Sequence, residues 1–191
     1  MYEIRWHGRG GQGAVTAAKI LADAAFRNGF AGVTSAPSFG AARRGAPITA
    51  STRMDNDPIR VHSQVVSPDI AVVLDDSLLG VANATAGLKA GGTLIVNTTK
   101  RPSELTAPAG AKVVTADVTG AAESVGLVVG GQPMVNTAIL GTIAKATGLI
   151  TMESLQAAIE HAFKPEAARR NFEAATIAYE CTRQQEPRPA G

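Results

Sequence analysis

The sequence predicts an α/β protein: a three-layer α/β/α arrangement around a mixed sheet with a largely parallel centre and an edge hairpin. Three observations predict it. Apolar, β-branched runs alternate with alanine-rich helical runs as far as Asp117. The runs "DIAVVLD" (69–75) and "GTLIVNT" (92–98) are apolar throughout, as in parallel strands covered on both faces. The turn sequence "DNDP" (55–58) separates two strand-like segments.

The elements follow in order. "YEIRWH" (2–7) reads as the first strand, and residues 13–28 as a helix with Ala17, Leu21, Ala24 and Ala25 on one face. "AGVTSA" (31–36) reads as the second strand. "APITASTRM" (46–54) alternates between a drier and a wetter face, and with "IRVHSQ" (59–64) it forms the expected hairpin across "DNDP". Residues 76–89 fit a crossover helix between the two apolar strands, and "AKVVTAD" (111–117) is one more central strand. Three helices close the chain. The first, 133–148, opens at Pro133, ends at Gly148 and is apolar almost all round, so it is expected to be buried. Thr151 is the expected N-cap of the second. The third begins near Pro165 and carries Ala168, Phe172, Ala175 and Tyr179 on one face. With no repeat and no break in composition, residues 1–184 read as one domain and 185–191 as a flexible tail.

Composition excludes several function classes. The chain has 191 residues, enough for one core, and 45% of them are hydrophobic. A formal net charge of +2 and only 4% aromatic residues argue against a nucleic-acid partner. No apolar run is long enough for a membrane span, and no signal-peptide pattern opens the chain, so a cytoplasmic location is expected. The single cysteine, Cys181, cannot supply the four thiolates of an iron–sulfur cluster or a cysteine-rich zinc site. His7, His62 and His161 have no metal-ligand spacing, so no metal is expected on this chain.

"WHGRGGQG" (6–13) contains Gly8-x-Gly10-x-x-Gly13 between a strand and a helix, the local context of a dinucleotide fingerprint. Glycines let the backbone approach an anion, and a helix N-terminus offers free N–H groups. That fingerprint also wants an acid at the end of the second strand, and no Asp or Glu lies between Asp23 and Asp55. Binding of another phosphate group, an ordered protein interface and a purely structural turn all stay open, with an NAD(P)-binding Rossmann-type oxidoreductase as the weaker alternative. The second unusual segment is "SAPSFGAARRGAPITAST" (35–52). Here Pro37, Gly40, Gly45 and Pro47 frame two adjacent cations, Arg43 and Arg44, which suit an anion or an acidic partner surface.

Together these motifs carry a resemblance. "GRGGQG" (8–13) followed by "PSFG" and "RRGAP" (37–47) resembles the γ subunit of the 2-oxoacid:ferredoxin oxidoreductases. "SPDIAVVLDDSLL" (67–79) and "NTAILG" (136–141) resemble later segments of the same family. Many members carry Pro-Glu where this chain has Ala41-Ala42, so the arginine pair here lacks that acid. The resemblance implies a non-catalytic γ subunit of a complex that decarboxylates a 2-oxoacid oxidatively to an acyl-CoA. It implies thiamine diphosphate, Mg and Fe–S clusters on sibling subunits, CoA in the assembled enzyme, and ferredoxin or another electron acceptor. Partners would be the thiamine-binding and Fe–S subunits. The residues it marks as CoA-phosphate or interface contacts are Gly8, Arg9, Gly10, Gly11, Gln12, Gly13, Ser38, Arg43 and Arg44. A purely structural adaptor is the remaining alternative.

Other polar residues receive structural readings. Asp75 and Asp76 read as acids at a helix N-terminus, His7 as a strand-end histidine satisfied locally, Asn97 and Asn136 as braces of turns, and Cys181 as inert. No Ser/His/Asp or Cys/His constellation is evident, so no catalytic residue is expected on this chain.

Overall fold

In the computed structural model, which describes residues 1–37, 44–61 and 63–185, nine strands and six helices follow one another. They are β1 (Tyr2–Arg9), α1 (Ala14–Arg27), β2 (Gly32–Pro37), β3 (Pro47–Asp55), β4 (Ile70–Val73), α2 (Leu78–Val81), β5 (Thr93–Asn97) and β6 (Lys112–Ala116). Then come α3 (Val118–Ser124), β7 (Val128–Val129), β8 (Gln132–Pro133), α4 (Val135–Thr147), α5 (Met152–Ala162), α6 (Pro165–Cys181) and β9 (Arg183–Gln185). Seven strands form one sheet in the order β2-β3-β1-β4-β5-β6-β9. Its centre, β1-β4-β5-β6, is parallel, while β2, β3 and β9 run antiparallel to their neighbours. The mixed sheet with a parallel centre is the predicted α/β architecture.

The edge hairpin exists, but its partners differ from the expectation. β3 pairs with the preceding strand β2, Val33 facing Met54, and not with residues 59–64. Those residues run as irregular chain instead. Two guanidinium groups fasten this strap: Arg53 donates to the carbonyls of Val61 at 3.5 Å and Ser63 at 2.7 Å, and Arg5 to that of Val66 at 3.0 Å. Arg53 also pairs with Glu3 at 2.9 Å across the β1–β3 ladder. Side-chain donors therefore replace the ladder that "DNDP" suggested.

Strand alternation sorts the core into two unequal halves. Ile4, Trp6, Met54, Ile70, Val72, Ile95 and Val114 face the helical layer. There α4 lies innermost, packed by α1, α3, α5 and α6 and buried from Val135 to Ala144, as its all-round apolarity predicted. The opposite face, built on Ala71, Val73, Leu94 and Val96, has only a thin cover. The expected helix over 76–89 shrinks there to the single turn α2. Asn83 takes φ 45°, and at Gly87, φ 70°, a side chain would strike the carbonyl of Val66, so the chain must bend. Arg5 donates to the carbonyls of Ala84 (3.3 Å) and Ala86, which satisfies backbone acceptors that no helix completes.

The helix ends follow local chemistry. Thr151 caps α5, its hydroxyl accepting from the N–H of Ser154 at 3.1 Å. Pro165 opens α6, and Gly148 ends α4 at φ 65°. Pro133 does not open α4: it lies in β8, and the helix starts at Val135 after Met134. α3 and β9 were not expected from the sequence, and β9 takes in Gln185, the first residue of the expected tail.

Candidate functional site

The carboxyl ends of β1, β4, β5 and β6 open together into a crevice of about 910 Å³. In sheets of this kind ligands bind at that edge. The crevice draws its walls from the glycine loop, Arg44-Gly45, the turns after β4 and β5, the start of α3, and the β7–β8 hairpin.

Backbone bonds zip the two unusual sequence segments together. Gly10 forms a parallel bridge with Arg44, its N–H donating to the carbonyl of Ala46 at 2.8 Å, while the N–H of Gly45 returns to Gly10 at 3.0 Å. Of the predicted loop residues, Gly8 belongs to β1; a side chain there would press on Leu74 and Ala14. Gly11 and Gly13 turn the chain at φ 100° and 78°. At Gly13 a Cβ would also sit 2.5 Å from Nδ2 of Asn136, so this glycine lets α1 and α4 start side by side. Asn136 thus packs against the loop from a distant part of the chain.

Arg9 and Gln12 are committed to building the loop. The Arg9 guanidinium donates to Asp75 (2.9 Å), to the Ser77 hydroxyl (2.6 Å) and to the carbonyl of Gly45 (3.1 Å). Gln12 accepts from the N–H of Arg9 at 2.7 Å and donates to Asp75 at 3.3 Å. Asp75 is therefore the hub joining β1, β4 and the arginine segment. Partial burial opposes its ionisation, but bonds from Ser77 and Arg9 outweigh burial and hold its carboxyl below the ordinary carboxylate range. Asp76 turns the other way, to Thr98 at 2.9 Å and Lys100 at 3.1 Å. Both acids precede α2 and serve as cross-links between strand ends, rather than as the helix N-terminal acids the sequence suggested.

Arg44 is exposed, and its guanidinium meets no carboxylate among the described residues. Ser38 and Arg43 lie outside those residues. α1 begins without a side-chain cap and without an acid in its first turn, so its leading N–H groups and positive dipole end stay available to an anion. One end of the crevice is thus cationic. The other carries Asp117, which caps α3 through the N–H of Gly120 at 2.8 Å, and Asn97. Asn97 donates to Leu74 and Thr119 at 3.0 Å each and accepts the N–H groups of Val118 and Thr119, the bracing role read from sequence. The β7–β8 hairpin, with Val129 64% exposed, overhangs the rim and was not foreseen.

No nucleophile stands beside a base in this crevice. Cys181 lies on α6, where burial pushes its thiol up, in line with an inert cysteine. Among the described residues no group of His, Cys, Asp and Glu is placed to hold a metal ion, and no helix is long and apolar enough to cross a membrane. The dinucleotide reading loses its geometric basis as well: β1 neighbours the antiparallel β3, not β2, so no second parallel strand presents an acid beside the glycine loop.

Comparison with known proteins agrees with this geometry. The profile of the pyruvate ferredoxin/flavodoxin oxidoreductase family matches residues 3–181. The chain is 51% identical over 185 residues to the pyruvate/ketoisovalerate oxidoreductases common subunit gamma of Thermococcus kodakarensis, covering 95% of this chain and 97% of that one. It is 47% identical over 182 residues to pyruvate synthase subunit PorC of Methanothermobacter marburgensis, covering 94% and 97%. The crystal structure of pyruvate oxidoreductase subunit PORC from Thermotoga maritima superposes with a TM-score of 0.82 at 34% identity, covering 97% of this chain and 98% of that one. The chain belongs to the pyruvate ferredoxin/flavodoxin oxidoreductase family and matches the separate γ subunits of that family from end to end.

Proposed function

We propose that the chain is a γ subunit that supplies no reacting group and closes the CoA side of a site whose thiamine diphosphate, Mg and Fe–S clusters sit on partner subunits. Electrons would leave through those partners to ferredoxin or another acceptor, in a cytoplasmic complex. One observation carries this reading. The glycine and arginine segments, distant in sequence, are zipped edge to edge, which sets the unpaired Arg44 beside the uncapped start of α1. A guanidinium fork and a row of free N–H groups suit phosphate oxygens. CoA, when bound, supplies the thiol that accepts the acyl group. This chain's residues would hold its phosphates and shed water from one side of the site.

The Thermococcus relative is named as common to pyruvate and ketoisovalerate oxidoreductases. A subunit shared by two substrates does not choose between them, which suits a chain whose crevice carries no nucleophile.

Changing Arg43 and Arg44 together to alanine in the assembled complex tests the reading. KM for CoA is expected to rise on the order of tenfold with kcat nearly unchanged, the loss of one charge-assisted contact to phosphate. An unchanged KM with weakened assembly would instead favour the structural adaptor.

A further inference from the structure

The thinly covered face of the sheet holds a second cavity, of about 600 Å³, which shares no residue with the crevice. Arg5 and His7, two residues apart on β1, form part of its wall with Thr49 and Ser51 of β3 and Ser63 and Gln64 of the strap.

His7 is 3% exposed. Its Nε2 accepts a bond from Nε–H of Arg5 at 3.0 Å, which assigns the proton of the neutral ring to Nδ1. That Nδ1 has no hydrogen-bond partner. Burial, helped by the charge of Arg5, pushes His7 down to about 4, so the ring is neutral at ordinary pH. The reading of His7 as locally satisfied is thus half right: one nitrogen is paired, and the other is a buried donor without an acceptor, a rare condition in folded proteins.

Arg5 is the second unmet group. Its guanidinium donates to His7 and to the carbonyls of Val66, Ala84 and Ala86, all uncharged. Among the described residues no carboxylate pairs with it, and burial lowers its pKa. The nearby acids are taken: Glu3 by Arg53 at 2.9 Å and Lys89 at 3.8 Å, and Asp69 by Lys89 at 2.9 Å. An uncompensated cation and an unsatisfied N–H therefore stand side by side against one cavity.

We propose that this cavity is a carboxylate-binding site in which the Nδ1–H of His7 donates to one carboxylate oxygen and Arg5 supplies the countercharge. One charge and one free donor match a monoanion. A phosphate dianion would call for more donors or a helix N-terminus. Ala36, Pro37, Val65 and Ala82 in the same wall suit a small apolar body attached to the carboxylate.

The full chain, labelled with ¹⁵N-histidine, is titrated with acetate at constant ionic strength while the ring signals of His7 are followed. The expected result is a saturable downfield movement of the Nδ1 proton with the tautomer unchanged. Acetate is also expected to raise Tm by a few degrees in the wild type and not in His7→Phe, which keeps a ring and removes the donor. Should His7→Phe fail to fold, the wild-type titration alone still decides. An absent or unsaturating movement, or an equal one with chloride that marks an adventitious ion only, overturns the proposal. Repeating the titration in the complex with its partner subunits identifies the source. A proton already shifted and deaf to acetate assigns the carboxylate to a partner's side chain. A proton that still answers acetate assigns the site to a free small carboxylate.

Discussion

His7 shows how much a single residue's surroundings matter. Its type and place on a strand are plain in the sequence, yet its protonation depends on Arg5 beside it and on the chain above it. The folded pKa is lowered from 6.5 to about 4. Between those values the unfolded chain binds more protons than the folded one, so acid favours unfolding. The stability held by the neutral ring is full above pH 6.5 and is lost as pH falls through the window to about 4. A shift of this size corresponds to about 3 kcal/mol. Denaturant titrations at pH 7 and pH 4.5 are expected to show a steeper loss for the wild type than for His7→Phe. Equal slopes for the two proteins would count against a neutral buried ring.

At the scale of elements, the closest packing in the molecule joins α4 and α6. A Cβ on Gly141 would lie 1.8 Å from the carbonyl oxygen of Ala175 and 3.1 Å from the N–H nitrogen of Tyr179. The two helix backbones touch at this glycine, and no side-chain movement can relieve a clash with backbone. Gly141→Ala is expected to cost about 2–3 kcal/mol as overpacking, read from the shift of the urea midpoint. A stability change under about 0.5 kcal/mol, the range of ordinary surface substitutions, would mean that the helices separate easily. The motif "NTAILG" in which this glycine sits was noticed for its resemblance alone. Its physical content is Asn136 against Gly13 at one end and Gly141 against α6 at the other. Neither contact shows in local periodicity, because both partners lie far away in sequence.

Over the whole molecule, burial is lopsided. One face of the sheet carries five helices, and the other carries a single turn, loops and the strap held by Arg5 and Arg53. Local stability follows buried apolar contact and completed backbone bonds. Amide hydrogen exchange is therefore expected to be slowest in β1, β4, β5 and α4, and faster by several orders of magnitude across residues 78–91. Uniform protection over both faces would contradict the lopsided core. Val66 and Val81, each more than 70% exposed, sit on the thin face and add apolar surface there.

The sequence by itself determined the strand and helix order, the buried character of α4, the caps at Thr151, Pro165 and Gly148, and the two segments that line the crevice. Period, turn chemistry and helix ends are local properties, and local residues suffice to set them. Only the tertiary structure decided which strand pairs with β3. It also decided that Arg9 is consumed by Asp75 while Arg44 stays unpaired, and that His7 keeps an unmet donor. Each of these depends on groups brought together across the sheet, from 66 residues apart for Arg9 and Asp75 to a few for Arg5 and His7. Hydrogen bonding and charge balance at such points are settled by the neighbours that folding supplies, and those neighbours are not written in the local sequence.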